Sequence, residues 1–143
     1  MSNLKLFLKD NKKVRENEKF PATSSLVDKD GEILEWEIKP LTTKENEQMR
    51  EECTREVPVN RKRGQYRTKL DTSKYGQMLI VASVVSPDLH NAELQDSYGV
   101  KTPEDLVLEM IDSPGEFSAF QQYITEYNGF DSSFEEDVDE AKN

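Results

Sequence analysis

Tyr75-Gly76-Gln77-Met78-Leu79-Ile80-Val81-Ala82-Ser83-Val84-Val85 is the one long apolar run in a very polar chain. From Leu79 to Val85 the only polar residue is Ser83, so the fold has to form around this stretch. A run this short fits a buried strand or a buried helix, and periodicity alone does not separate the two. The β-branched Ile80, Val81, Val84 and Val85 argue for a strand. For a helix, Tyr75, Met78, Leu79, Ala82 and Val85 follow spacings of three and four. Asp71, Thr72 and Ser73 offer N-caps, and Pro87 follows where a helix often ends. Together these signals predict a central apolar helix over about 72–86, with shorter helices packed around it. The run is too short to span a membrane, which takes about 20 apolar residues.

The rest of the composition sets limits on that core. In 143 residues, apolar and charged side chains each make up 34%, and mean hydropathy is low. This predicts one domain with a small core and mobile ends rather than an enzyme-like interior. Residues 1–10 hold Lys5 and Lys9 but no sustained apolar segment or small-residue cleavage site, so no signal peptide is expected. One cysteine, Cys53, makes no intramolecular disulfide, which suits a reducing cytoplasm. The net charge of −10 is uneven: residues 1–70 hold 16 Lys/Arg and 13 Asp/Glu, residues 71–143 hold 3 and 16. The acidic half disfavours nucleic acid and anionic membranes; it suits solubility or a basic partner.

Taken in order, residues 1–19 read as a loosely ordered segment in which Leu4, Phe7 and Leu8 could form a helical turn or two that needs a surface to dock on. An N-terminal β-hairpin follows over about 20–39: a strand from Phe20 to Val27, a turn over Asp28-Lys29-Asp30-Gly31, and a second strand ending at Lys39. Leu34, Trp36 and Ile38 alternate with charged residues, which puts Trp36 on the helices. Residues 42–130 are expected to form a helical body. Thr42 and Glu45 have capping-box spacing, and Met49 and Cys53 give the first helix a thin apolar stripe, with Cys53 a small buried hydrophobe. The basic island 55–69 (Arg55, Arg61, Lys62, Arg63, Arg67 and Lys69 against Glu56) reads as a solvated loop, with phosphates or an acidic partner as its alternative occupants. Asn91 to Gly99, Thr102-Pro103 and Ser113-Pro114 mark three more helices, the last with Glu116 at capping-box distance. That helix carries Phe117, Phe120, Ile124 and Tyr127 on one face, which packs on 79–85 or else forms a partner-binding face. Residues 131–143 are expected to be a mobile acidic tail.

No catalytic constellation stands out. One histidine, His90, and one cysteine do not make a His/Cys metal site. Neither a phosphate-binding glycine loop nor a Gly-x-Ser-x-Gly elbow is present. A site made of carboxylates alone is the remaining catalytic option. No cofactor is expected.

Several strings occur together in this order: Trp36-Glu37-Ile38-Lys39-Pro40-Leu41-Thr42, Cys53-Thr54-Arg55, Lys62-Arg63-Gly64-Gln65-Tyr66, the run 79–85, Pro87-Asp88-Leu89, Asn91-Ala92-Glu93-Leu94-Gln95-Asp96-Ser97-Tyr98-Gly99-Val100, Pro114-Gly115-Glu116-Phe117 and Asn128-Gly129-Phe130. As a set, they resemble the XkdN-like family of phage tail assembly chaperones over roughly 14–141, and Asn91 to Val100 is the most specific of them. The resemblance implies a non-catalytic, largely helical protein of the host cytoplasm. It would bind the tape measure protein, keep it soluble, help tail tube subunits polymerise around it, and be absent from the finished virion. The tail tube protein and a second copy of the chain are further expected partners; a membrane is not, and nucleic acid is disfavoured. The competing readings are a structural tail or connector component, and a nucleic-acid-binding regulator working through 55–69.

Overall fold

The computed structural model describes residues 3–59 and 63–130. Its elements mix helices with short strands, an α+β arrangement. Helix α1 covers Thr43–Cys53, α2 Thr72–Ser83, α3 Ala92–Ser97, α4 Pro103–Met110 and α5 Pro114–Tyr127. Strands β1 (Glu18–Phe20), β2 (Trp36–Ile38) and β5 (Val84–Ser86) form one antiparallel sheet in the order β1-β2-β5; β3 (Thr54–Pro58) and β4 (Tyr66–Leu70) form a separate two-stranded ribbon.

Local signals fix most helix starts. The Thr42 hydroxyl accepts from the Glu45 amide at 3.1 Å while the Glu45 carboxylate accepts from the Thr42 amide at 3.1 Å, a complete capping box. Those bonds, first of all the backbone one, hold the Glu45 carboxyl below its ordinary value. Asp71 caps α2, Asn91 caps α3, and Thr102 caps α4 ahead of Pro103. Helix α5 departs from expectation: Ser113 makes no side-chain cap, and Glu116 turns away from its own helix. Its carboxylate accepts from the Thr23 hydroxyl (2.8 Å), the Ser24 amide (2.9 Å) and the Ser24 hydroxyl (2.9 Å), which ties the hairpin to α5.

The apolar run divides. Residues 72–83 are helical, but Val84 to Ser86 are strand β5 instead of the last turn of a helix reaching 86. Ile38 pairs with Val84 and Glu37 with Ser86, and the Lys39 amide donates to the Ser83 carbonyl at 2.8 Å. The open edge of β2 therefore captures the two β-branched residues that sit best in extended backbone.

The hairpin is also less regular than its pattern suggests. Phe20 pairs with Trp36, and Val27 bridges Ile33 around the Asp28–Gly31 turn, where Gly31 has φ 84°. Between these points the ladder opens: Pro21 has no amide hydrogen to give, and Thr23 and Ser24 direct their polar groups to Glu116.

The largest correction falls on 55–69. Instead of a loop, the chain forms a five-by-five-residue antiparallel ribbon, with Thr54 opposite Leu70 and Pro58 opposite Tyr66. The helical body is thus interrupted by strands, and a hairpin and a ribbon stand where a single hairpin is expected. Arg61 and Lys62 lie outside the described residues, as does the expected acidic tail 131–143.

Packing draws on both sequence halves. Trp36, Ile38, Leu79, Ile80, Leu106, Val107, Phe120 and Ile124 are all buried. Helix α2 packs against α1, α4 and α5. The Gln121 side-chain amide of α5 lies over Gly76, in the space a Cβ there would occupy.

Candidate partner-binding surfaces

The aromatic stripe of α5 lands mostly inside. Phe120 and Ile124 are 0% exposed, and Phe117 and Tyr127 are half-buried at the edges. The hairpin covers this face: Phe20 stacks on Phe120 (ring centroids 5.6 Å, 7° between planes), and Trp36 meets Phe120 edge-on at 5.6 Å. As a partner-binding set, the four residues therefore expose only their two end members, because the protein's own β1 and β2 fill the middle. The structure adds Tyr123, at the same helical spacing from Phe120 and Tyr127. It stacks on Phe20 at 4.3 Å and lies 6.4 Å from the Tyr127 ring, nearly parallel. The Tyr123 hydroxyl donates to the Glu18 carboxylate, which pushes its pKa up to about 12. The Tyr127 hydroxyl donates to the Glu16 carbonyl, and burial raises its pKa as well.

A different apolar surface lies on the far side of α2. Met49 of α1, Met78, Val81 and Ala82 of α2, and Val84 and Val85 of β5 line an open groove of about 540 Å³. Lys39, Glu45, His90 and Glu104 stand at its rim, with Lys39 and Glu45 paired at 3.5 Å. Exposed His90 thus belongs to the groove as well as to its turn. Two of the lining residues are methionines, whose unbranched, polarizable side chains adapt to irregular ligands. Cys53 lies beneath Met78, its Sγ 3.4 Å from Sδ, and burial pushes its thiol up, so it has a structural position and little thiolate character.

The third surface is the N-terminal arm. Asn3–Phe7 and Lys9–Asn11 form two short 3-10 turns that leave Leu4, Leu6, Phe7 and Leu8 exposed. Among the described residues, hydrogen bonds from the arm to the body begin beyond these turns, where the Arg15 guanidinium donates to the Leu41 carbonyl and the Asn17 amide donates to Glu37 at 2.9 Å.

The fourth is the ribbon, where Arg55 stands opposite Lys69 and Val57 opposite Arg67. Side chains alternate along a strand, so these cations share one face. Among the described residues, no three or more His, Cys, Asp and Glu side chains gather to hold a metal ion. Nor is any described helix long and apolar enough to cross a membrane.

The family profile described as phage XkdN-like tail assembly chaperone protein matches residues 4–142. The chain is 28% identical over 126 residues to the phage-like element PBSX protein XkdN of Bacillus subtilis strain 168, covering 87% of this chain and 83% of that protein. It is 27% identical over 124 residues to the uncharacterized protein YqbN of the same strain, covering 86% and 81%. The crystal structure of the protein yqbn superposes with a TM-score of 0.74 over 92% of this chain and 99% of that one, at 21% identity, a likeness of fold.

Proposed function

Since this chain belongs to the phage XkdN-like tail assembly chaperone family, we propose that it binds the tape measure protein during tail assembly, keeps it soluble while tube subunits polymerise, and is left out of the finished virion. The observation that carries this reading is the family match, which runs nearly end to end. The family is named for a chaperone and not for an enzyme class. The physical requirements of a holdase support the same reading: apolar surface for a client, and charge to keep the complex in solution. Here the groove beside α2 and the half-buried edges of Phe117 and Tyr127 supply adhesive surface. The net −13 of residues 71–143 supplies repulsion between complexes. In this reading α2 is the rod that spaces these surfaces, and the protein acts in the host cytoplasm.

Co-expression with the tape measure protein of the same phage or prophage tests the proposal. The expected result is more soluble tape measure protein and a complex that co-purifies. No complex at either low or high salt would reject it. Mass spectrometry of purified particles checks the second part; stoichiometric amounts of this chain in virions would favour a structural tail component.

A further inference from the structure

Two apolar surfaces of this chain have matching chemistry. Leu4, Leu6, Phe7 and Leu8 of the arm are 72%, 72%, 83% and 53% exposed, so four large apolar side chains within five residues stand in solvent. The groove floor of Met78, Val81, Ala82, Val84 and Val85 is an adaptable apolar trough of about 540 Å³. We propose that the arm of one copy docks in this groove on a second copy, so that two chains exchange arms about a two-fold axis.

Charge supports the pairing. Residues 1–13 carry Lys5, Lys9, Lys12 and Lys13 against Asp10 alone, net +3, while residues 14–143 are net −13. The arm is thus a basic, apolar segment on an otherwise acidic molecule; at the groove rim, beside His90, Lys39 already pairs with Glu45, which leaves Glu104 as the rim acid for the arm's lysines. Geometry permits the exchange. The arm leaves the body at Arg15 beside Leu41, close to the α1 N-terminus where Glu45 borders the groove. From there an extended segment to residue 6 reaches up to about 30 Å.

The single chain argues against docking at home. A tethered segment has an effective concentration near the millimolar range when its linker can span the two sites. Even so, the arm stays solvent-exposed in its own molecule, with its apolar side chains off the groove.

Sedimentation equilibrium of the purified full chain tests the exchange without any client, so its failure leaves the chaperone reading untouched. A reversible dimer is expected, weakened at least about 100-fold by Leu6→Asp with Phe7→Asp and again by Val85→Asp. Thermal unfolding of these variants should match the wild type, because the substituted side chains are exposed. A chain that stays monomeric at every concentration, or a dimer indifferent to both kinds of variant, overturns the proposal. Disulfide trapping fixes the pairing. In a Cys53→Ala background, chains carrying Leu6→Cys are mixed with chains carrying Ala82→Cys, and a disulfide between unlike chains is expected. A double variant that closes only within one chain shows the arm in its own groove and overturns the exchange, as does predominant linkage of Leu6→Cys to itself.

Discussion

Strands β1 and β2 put Trp36 and Ile38 into the core, whereas the β3–β4 ribbon, although longer, buries none of its residues. The two hairpins are thus held by different means. The first is fixed by what it covers: Phe20 and Trp36 close over Phe120, and Glu116 clamps its loop through Thr23 and Ser24. The second is fixed at its root. It leaves α1 at Thr54 and enters α2 after Leu70, and the Asp71 amide donates to the Cys53 carbonyl at 2.8 Å where the two packed helices meet. A hairpin can therefore persist without a buried face when the helices at its base set the distance between its strands.

If that contrast holds, truncation should separate the two most sharply. Trp36→Ala removes a large buried side chain from beneath α5 and should cost about 3–5 kcal/mol, read from the urea midpoint. Tyr66→Ala, at an exposed position on the ribbon, should stay within about 0.5 kcal/mol. Equal losses would mean that the ribbon is packed on something and that the contrast is false.

The clamp of the first hairpin is pH-dependent, and its sign follows from the geometry. Three donors, led by the Ser24 amide, hold the Glu116 carboxyl below its ordinary 4.5, so the folded state favours the ionised form. Its contribution is present above that value and is lost as pH falls through the lowered folded value. Glu116→Gln should therefore destabilise the protein near neutral pH, and its urea midpoint should converge on the wild type as the solution is acidified below 4.5. A gap that stays constant across that range would show that the carboxylate charge is not what holds the hairpin to α5.

What the sequence reveals, and what it hides, follows the range of each interaction. Caps are local: Thr42 with Glu45, Asn91 with Leu94 and Thr102 with Pro103 are set within a few residues, and each helix begins where those residues say. Glu116 has the same spacing from Ser113, yet its partners are more than 90 residues away. No window on the sequence shows that competition. Val84 and Val85 likewise leave the helical pattern only because β2 offers an open edge from a remote part of the chain. At the candidate surfaces, spacing identifies the α5 stripe but not the hairpin that covers it, so a partner-binding reading of Phe120 and Ile124 stands beside the simpler reading as core. Tyr123 fits the same spacing and marks the stripe's continuation. The groove draws on Met49, Met78 and Val85, which lie on separate elements, and no periodicity within one element brings them together.

The ribbon is the hardest of these to read, because its strands lack apolar alternation and place Arg55 directly opposite Lys69. Like charges facing each other across an antiparallel pair are unfavourable, and opposite charges contribute roughly 0.2–1 kcal/mol. Lys69→Glu turns the repulsive pair into an attractive one without touching the core, so it should stabilise the protein by a few tenths of a kcal/mol, the smallest effect considered. Because the pair is largely in solvent, the gain should fade with added salt. The second substitution reports on register. Arg55→Glu combined with Lys69→Glu restores like charges and should lose the gain, whereas Arg67→Glu, opposite Val57, should not reproduce it. Equal gains from Lys69→Glu and Arg67→Glu would mean that only the ribbon's total charge matters. Unequal gains in the stated order tie the effect to the pairing itself, and so to helices α1 and α2, which hold that pairing in place without a core beneath it.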